Sequence, residues 1–237
     1  MIIQRNKTVV VAADIPLEKL AGLAGAMHGV EGISAFKIGI TMMTRLKEAV
    51  GIIRSYLPNL PIIYDHQKAG NDIPGTGKKF AETLKETGVN AAILFPFAGP
   101  ATQEAWTKAC FDAGLSVLTG GVMTHPKFLV SEGGYVADDA VERIYLLACQ
   151  LGVKDFVVPG TKINWVQRIH SLVSKELGDG NFALYAPGFI TQGGEISECG
   201  KAAGNRWHAI VGSAIYEQPT PEDQRKAAMT VTSQIIG

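Results

Sequence analysis

Two lysines and three aspartates in this 237-residue chain stand at spacings that could do electrostatic chemistry on a small anionic molecule. Asp14 follows an apolar run. Lys37 lies inside another, in Phe36-Lys37-Ile38-Gly39. Asp65, Lys68 and Asp72 share the stretch Tyr64-Asp65-His66-Gln67-Lys68-Ala69-Gly70-Asn71-Asp72-Ile73-Pro74-Gly75-Thr76. A lysine flanked by Phe and Ile on a strand needs partners for its charge on whichever face it lies, and this stretch offers them. An alternating Lys–Asp array is nearly neutral in sum and so tolerates partial burial, yet it sets strong local fields on any ligand wedged into it. The same residues would also serve a salt-bridge network that caps a fold without chemistry, and position alone does not separate the two.

These charges are carried by a repeating framework. Short β-branched or apolar runs occupy 8–13, 34–39, 61–65, 91–95, 116–119, 155–158, 182–185 and 208–211. Amphipathic stretches follow them at 17–27, 44–56, 78–87, 102–113, 138–151, 164–177, 195–203 and 221–236. Gly88, Gly114, Gly152, Gly178 and Gly204 close helical segments, where a positive φ is needed. Eight strand–helix repeats in this length predict an α/β chain folded as one (β/α)8 TIM barrel over residues 1–237. A doubly wound open sheet also alternates β and α, but no GxGxxG follows the first run. Barrel sites lie at the C-terminal ends of the strands, which directs attention to Asp14, Lys37, 65–72, Pro96, 123–126, 159–162, 187–194 and 212–216.

Further motifs fall at these ends in a fixed order. They are Met123-Thr124-His125-Pro126, Leu151-Gly152-Val153-Lys154-Asp155-Phe156-Val157 with Pro159, Ala186-Pro187-Gly188 with Gln192-Gly193-Gly194, and Ile210-Val211-Gly212-Ser213-Ala214-Ile215-Tyr216. Together with Asp14, the Lys37-Ile38-Gly39 context and an acidic–basic cluster ending Asp72-Ile73-Pro74-x-Thr76, they resemble the orotidine 5′-monophosphate decarboxylases over about residues 8–218, most closely the archaeal members.

The resemblance implies metal-free and cofactor-free loss of CO2 from the nucleotide substrate to give UMP, through a carbanion-like state at the ring's C6. It implies that Lys68 stabilises and protonates C6, that Asp65 faces the departing carboxylate, and that Lys37 and Asp72 hold the array in register. Asp14 and Lys37 would meet the ribose hydroxyls and Thr124 the pyrimidine edge. Pro187, Gln192, Gly193, Gly194, Gly212 and Ser213 would line the rest of the substrate site, the glycines letting backbone N–H groups approach the phosphate. The resemblance further implies a homodimer in which Asp72 and Thr76 enter the site of the neighbouring subunit.

Two departures from the family stand out. Its cluster is spaced D-x-K-x-x-D, whereas this chain reads Asp65-x-x-Lys68-x-x-x-Asp72. Residues three apart on a strand do not share a face, so Asp65 and Lys68 meet only where the backbone leaves regular strand geometry; otherwise His66 or Asn71 holds an acidic position. Ser213 also stands where the family has a phosphate-binding arginine, and serine cannot replace a bidentate guanidinium. Lys162 and Lys127 are substitute cations to consider, while Arg206 precedes the eighth strand, at the wrong end.

Composition narrows the alternatives. The 22 basic and 22 acidic residues balance, which disfavours a general nucleic-acid binder. Three widely spaced cysteines, Cys110, Cys149 and Cys199, suggest buried thiols of a cytoplasmic protein, and the histidines show no metal-ligand spacing. No apolar stretch reaches membrane-spanning length. Two other readings compete with the decarboxylase: a Mg2+-dependent sugar-phosphate enzyme of the same superfamily, such as a hexulose-phosphate synthase or ketogulonate-phosphate decarboxylase, and a nucleotide-binding barrel without catalysis.

Overall fold

Eight parallel strands close into one barrel in sequence order. The structure, a computed structural model, describes residues 1–66, 69–188 and 196–236. The strands are β1 Lys7–Ala12, β2 Ile33–Gly39, β3 Ile62–Asp65, β4 Ala91–Leu94, β5 Ser116–Gly120, β6 Asp155–Val157, β7 Ala183–Pro187 and β8 Trp207–Val211. The helices are α1 Leu17–Met27, α2 Leu46–Tyr56, α3 Gly77–Glu86, α4 Pro100–Asp112, α5 Asp138–Gln150, α6 Ile163–Leu177, α7 Ile196–Ala203, α8 Ser213–Tyr216 and α9 Pro221–Ile236.

The strands are buried on both faces, as the continuous apolar runs require of a parallel sheet. Alternation with period two divides them between two cores. Val9, Val11, Phe36, Ile38 and Ile62 point outward and pack with Leu20, Leu23 and Ile53 of the helices. Val10, Ala35, Ile63, Ile93, Leu118, Val157 and Ile210 point inward and fill the barrel. Burying each large aliphatic side chain stabilises the fold by about 1.5–3 kcal/mol.

Element ends follow local chemistry. Pro100 starts α4 two residues earlier than periodicity suggests, because proline fits a first helical turn and Gly99 supplies the φ of +112° before it. Gly88, Gly114, Gly152, Gly178 and Gly204 all adopt positive φ after their helices, as expected. Of the stretch 44–56, the first two residues belong to a 3-10 turn, Ile40–Arg45, and the rest forms α2. The four-residue α8 is too short to leave a periodic signal.

The N-terminal end of the barrel is closed by polar groups. Ile3 joins the inner core, with Met1 and Ile2 packed against it. The terminal ammonium lies 3.7 Å from Asp155 Oδ2, and Tyr185 donates to Asp155 Oδ1 at 2.9 Å. Thr8 Oγ1 bonds both Ser34 and His208 Nδ1, the latter at 2.7 Å. Burial drives the His208 pKa down to about 3, so it is held neutral. Cys110, Cys149 and Cys199 are free and buried, and burial pushes each thiol up to about 12. Among the described residues no helix is long and apolar enough to cross a membrane.

Candidate active site

A cavity of about 430 Å³ opens at the C-terminal ends of the strands, a volume suited to a small-molecule ligand. Its charged floor comes from β1 to β3. The Lys37 side chain points into the barrel, and its ammonium lies 3.0 Å from Asp65 Oδ2 and 3.3 Å from Asp14 Oδ2. The register explains the meeting. Lys37 pairs with Ile63 and Gly39 with Asp65, so Asp65 projects from the same face one step further along the groove.

Lys37 is 4% exposed. Burial alone would lower its pKa, but Asp65 and Asp14 together outweigh that and raise it above the ordinary lysine value. The ammonium is therefore permanently charged at neutral pH, and each carboxylate is pinned by it. Asp65 is also buried, whereas the Asp14 side chain is 38% exposed and open to the cavity. Gly39 makes this packing possible. A Cβ there would lie 2.8 Å from the Asp65 carbonyl oxygen and 3.4 Å from Asp14 Oδ1.

The structure places Asp65, not His66 or Asn71, beside Lys37. His66 Nδ1 bonds the Tyr64 hydroxyl at 2.7 Å, and both border a separate hollow outside β3. Asn71 Oδ1 accepts from the Phe97 amide at 2.9 Å. Strand β3 ends at Asp65. Gln67 and Lys68 lie outside the described residues, as do Gln192, Gly193 and Gly194.

Asp72 and Thr76 do not line this chain's own cavity; both border the hollow outside β3. Asp72 is exposed and accepts from the Ile73 amide at 2.7 Å, while Thr76 donates to the Ile73 carbonyl at 2.7 Å. Of the other expected residues, Thr124, Pro187, Gly212 and Ser213 all line the cavity. The Thr124 carbonyl accepts from Thr161 at 3.1 Å, which fixes the turn after β5.

Much of the remaining wall is apolar, and Phe95 in it was not singled out from the sequence. Phe95, just past β4, lines the cavity and continues a chain of rings through Phe97 and Phe128 to His125, with centroids 5.9, 5.5 and 5.8 Å apart. Gly120 makes room for Phe95, since a Cβ at 120 would lie 2.2 Å from Phe95 Cζ. Tyr216 also lines the cavity. The sequence signal for both was their place just beyond strand ends.

The substitute cations are disposed otherwise. Lys162 is held by Glu132 at 2.6 Å and does not line the cavity; nor does the exposed Lys127. Arg206 bonds Asn6 at 3.1 Å, at the N-terminal end of the barrel. Among the described residues lining the cavity, Lys37 is the sole lysine or arginine. Among the described residues no group of three or more His, Cys, Asp or Glu is placed to hold a metal ion. The arrangement offers an apolar slot for a flat ring, with two pinned carboxylates and a buried ammonium at one side.

No protein-family model matches the chain. It is 29% identical over 232 residues to the orotidine 5′-phosphate decarboxylase of Methanosarcina barkeri, covering 98% of this chain and 96% of that protein. It is 28% identical to the Methanosarcina mazei protein of the same name, with the same coverage. Among solved structures it superposes on the orotidine 5′-monophosphate decarboxylase of Methanocaldococcus jannaschii in complex with the inhibitor BMP. That likeness has a TM-score of 0.79 at 20% identity, covering 98% of this chain and 100% of that one. The Pyrococcus horikoshii orotidine 5′-phosphate decarboxylase follows at a TM-score of 0.76 and 22% identity, covering 97% and 100%. The structural likenesses speak for the fold; the curated relatives are similar in sequence over nearly the whole length.

Proposed function

We propose that this chain is an orotidine 5′-monophosphate decarboxylase, converting its substrate to UMP in pyrimidine synthesis. The observation that carries the reading is the buried Lys37 ammonium paired with Asp14 and Asp65 at the C-terminal end of the barrel, in a chain similar to named decarboxylases over nearly its whole length. The whole chain, 1–237, acts as one domain, without a metal or other cofactor, in the cytoplasm.

The chemistry asks for a carbon to lose CO2 and gain a proton. The C6–carboxylate bond breaks, its electron pair stays on C6, and CO2 leaves neutral. In this reading Asp65, held in place by Lys37, faces the substrate carboxylate. Its repulsion is felt in the ground state and relieved as charge moves to C6. Lys68 places its ammonium beside C6, stabilises the growing charge and donates the proton. Thr124 meets the pyrimidine edge with one donor and one acceptor. Asp14 meets the ribose. Gly212, Ser213, Pro187 and the 192–194 glycine segment surround the phosphate end, where no guanidinium lines the described wall.

The active form in this reading is a homodimer, with Asp72 and Thr76 reaching the partner's cavity. The support is that both stand outside their own cavity, next to exposed apolar side chains: Ile73 is 66% exposed and Met43 46%. Exposed apolar clusters of this kind mark association surfaces.

The test is turnover of orotidine 5′-monophosphate in excess EDTA, followed as loss of orotate absorbance, beside Lys68→Ala. Activity that survives EDTA and falls by several orders of magnitude in the variant is expected. Absence of turnover in the unmodified protein, with or without Mg2+, would refute the reading.

A further inference from the structure

Strand β8 ends at Val211, and the chain turns at Gly212 into α8, the Tyr216 amide donating to the Gly212 carbonyl at 3.1 Å. The Tyr216 ring folds back over that glycine. A Cβ at Gly212 would lie 3.1 Å from Tyr216 Cε1 and 3.5 Å from the Ala12 Cβ. The ring is thus wedged between the ends of β8 and β1, the strand that Asp14 follows. Tyr216 and Asp14 together line the main cavity, and together they line the groove behind it, between α1 and the start of α9. They form the partition between the two.

Their hydrogen-bonding capacities are complementary and open. Lys37 approaches the Asp14 oxygens at 3.3 and 3.4 Å, but the carboxylate keeps further lone pairs facing the cavity. The Tyr216 carbonyl accepts from Gln224, while its hydroxyl makes no hydrogen bond to another described residue. Burial, then the negative charge of Asp14, holds the phenol above its ordinary value, so it remains an O–H donor. A carboxylate that only accepts, beside a phenol that donates, does not suit a phosphate, which only accepts and is repelled by Asp14. The pair suits a group that both donates and accepts through one oxygen.

We infer that Tyr216 and Asp14 read one sugar hydroxyl of the nucleotide, the hydroxyl donating to Asp14 while Tyr216 donates to its oxygen. Tyr216 is then a specificity-determining residue for the ribose. The inference rests on the nucleotide reading above, and its test separates the two.

The experiment measures equilibrium binding of UMP, 2′-deoxy-UMP and 3′-deoxy-UMP to the unmodified protein and to Tyr216→Phe, which keeps the ring over Gly212. Loss of one neutral hydrogen bond should weaken UMP binding about threefold to tenfold. For the deoxy analogue that lacks the hydroxyl in question, the unmodified protein should already bind more weakly, and Tyr216→Phe should add less than about a twofold further change. Equal weakening of all three ligands, or of none, overturns the assignment while leaving the nucleotide reading intact. Failure of the unmodified protein to bind any of the three removes both.

Discussion

At the scale of single residues, burial decides which charges this barrel keeps. Lys37 is almost wholly enclosed yet remains an ammonium, because two carboxylates lie within 3.3 Å of it. A single carboxylate would leave more of the desolvation cost unmatched. His208 shows the opposite outcome. It is fully buried at the other end of the barrel, with Thr8 on Nδ1 and no acidic partner among the described residues, and its pKa falls to about 3. A folded-state pKa depressed from 6.5 means that the unfolded chain binds the proton first as pH falls. Stability due to neutral His208 is therefore complete above pH 6.5 and is lost progressively between 6.5 and 3. Urea denaturation of the protein and of His208→Gln at pH 7 and pH 4 should show a shallower acid loss in the variant, by roughly 1.4 kcal/mol for each pH unit crossed within that window. Identical pH dependence in the two proteins would assign the acid sensitivity elsewhere.

At the scale of elements, the strand order, the helix-closing glycines and the position of Lys37 and Asp65 were legible in the sequence. Each follows from a period or from a backbone requirement that one residue type meets. The turn after β3 was not. The run 61–65 ends where β3 ends, at Asp65, but nothing in the sequence shows that His66 turns outward to Tyr64. Phe95 escaped notice, and Tyr216 was noted only within a motif and given no role, because an aromatic beside a strand end carries no charge to draw attention to it. Gly39 was noted only as the neighbour of Lys37, since its importance lies in what a Cβ would strike on neighbouring chain. Gly39→Ala should preserve the circular dichroism of the barrel but push the Asp65 backbone and the Asp14 carboxylate by a few tenths of an ångström or more. We expect kcat/KM to fall about tenfold to a hundredfold, because electrostatic sites depend on positions held to about half an ångström. An unchanged kcat/KM would mean that the floor relaxes without consequence.

At the scale of the molecule, Asp72 and Thr76 stand outside the cavity whose chemistry they are proposed to complete. A dimer with shared sites makes a quantitative forecast. Lys37→Ala and Asp72→Ala, each inactive alone, should regain activity when co-expressed. The mixed dimer has one site with both lesions and one with neither. Random pairing makes half of the dimers mixed, so about one quarter of the unmodified activity should return. No recovery in demonstrably mixed dimers would place Asp72 in its own chain's site or outside any site.

The pairing of Gly120 with Phe95 has a consequence of a different sort. The ring occupies space that any side chain larger than glycine on β5 would take, and it forms part of the cavity wall. The room for a ligand is thus limited by an uncharged pair, one on β5 and one just past β4, while the charges that would act on that ligand come from the ends of β1 to β3. Trimming Phe95 to a smaller apolar residue would enlarge the slot without touching the ionic floor. An inhibitor chemist could therefore vary the bulk of a pyrimidine analogue against position 95 and its electronics against Lys37 and Asp65, as two independent axes.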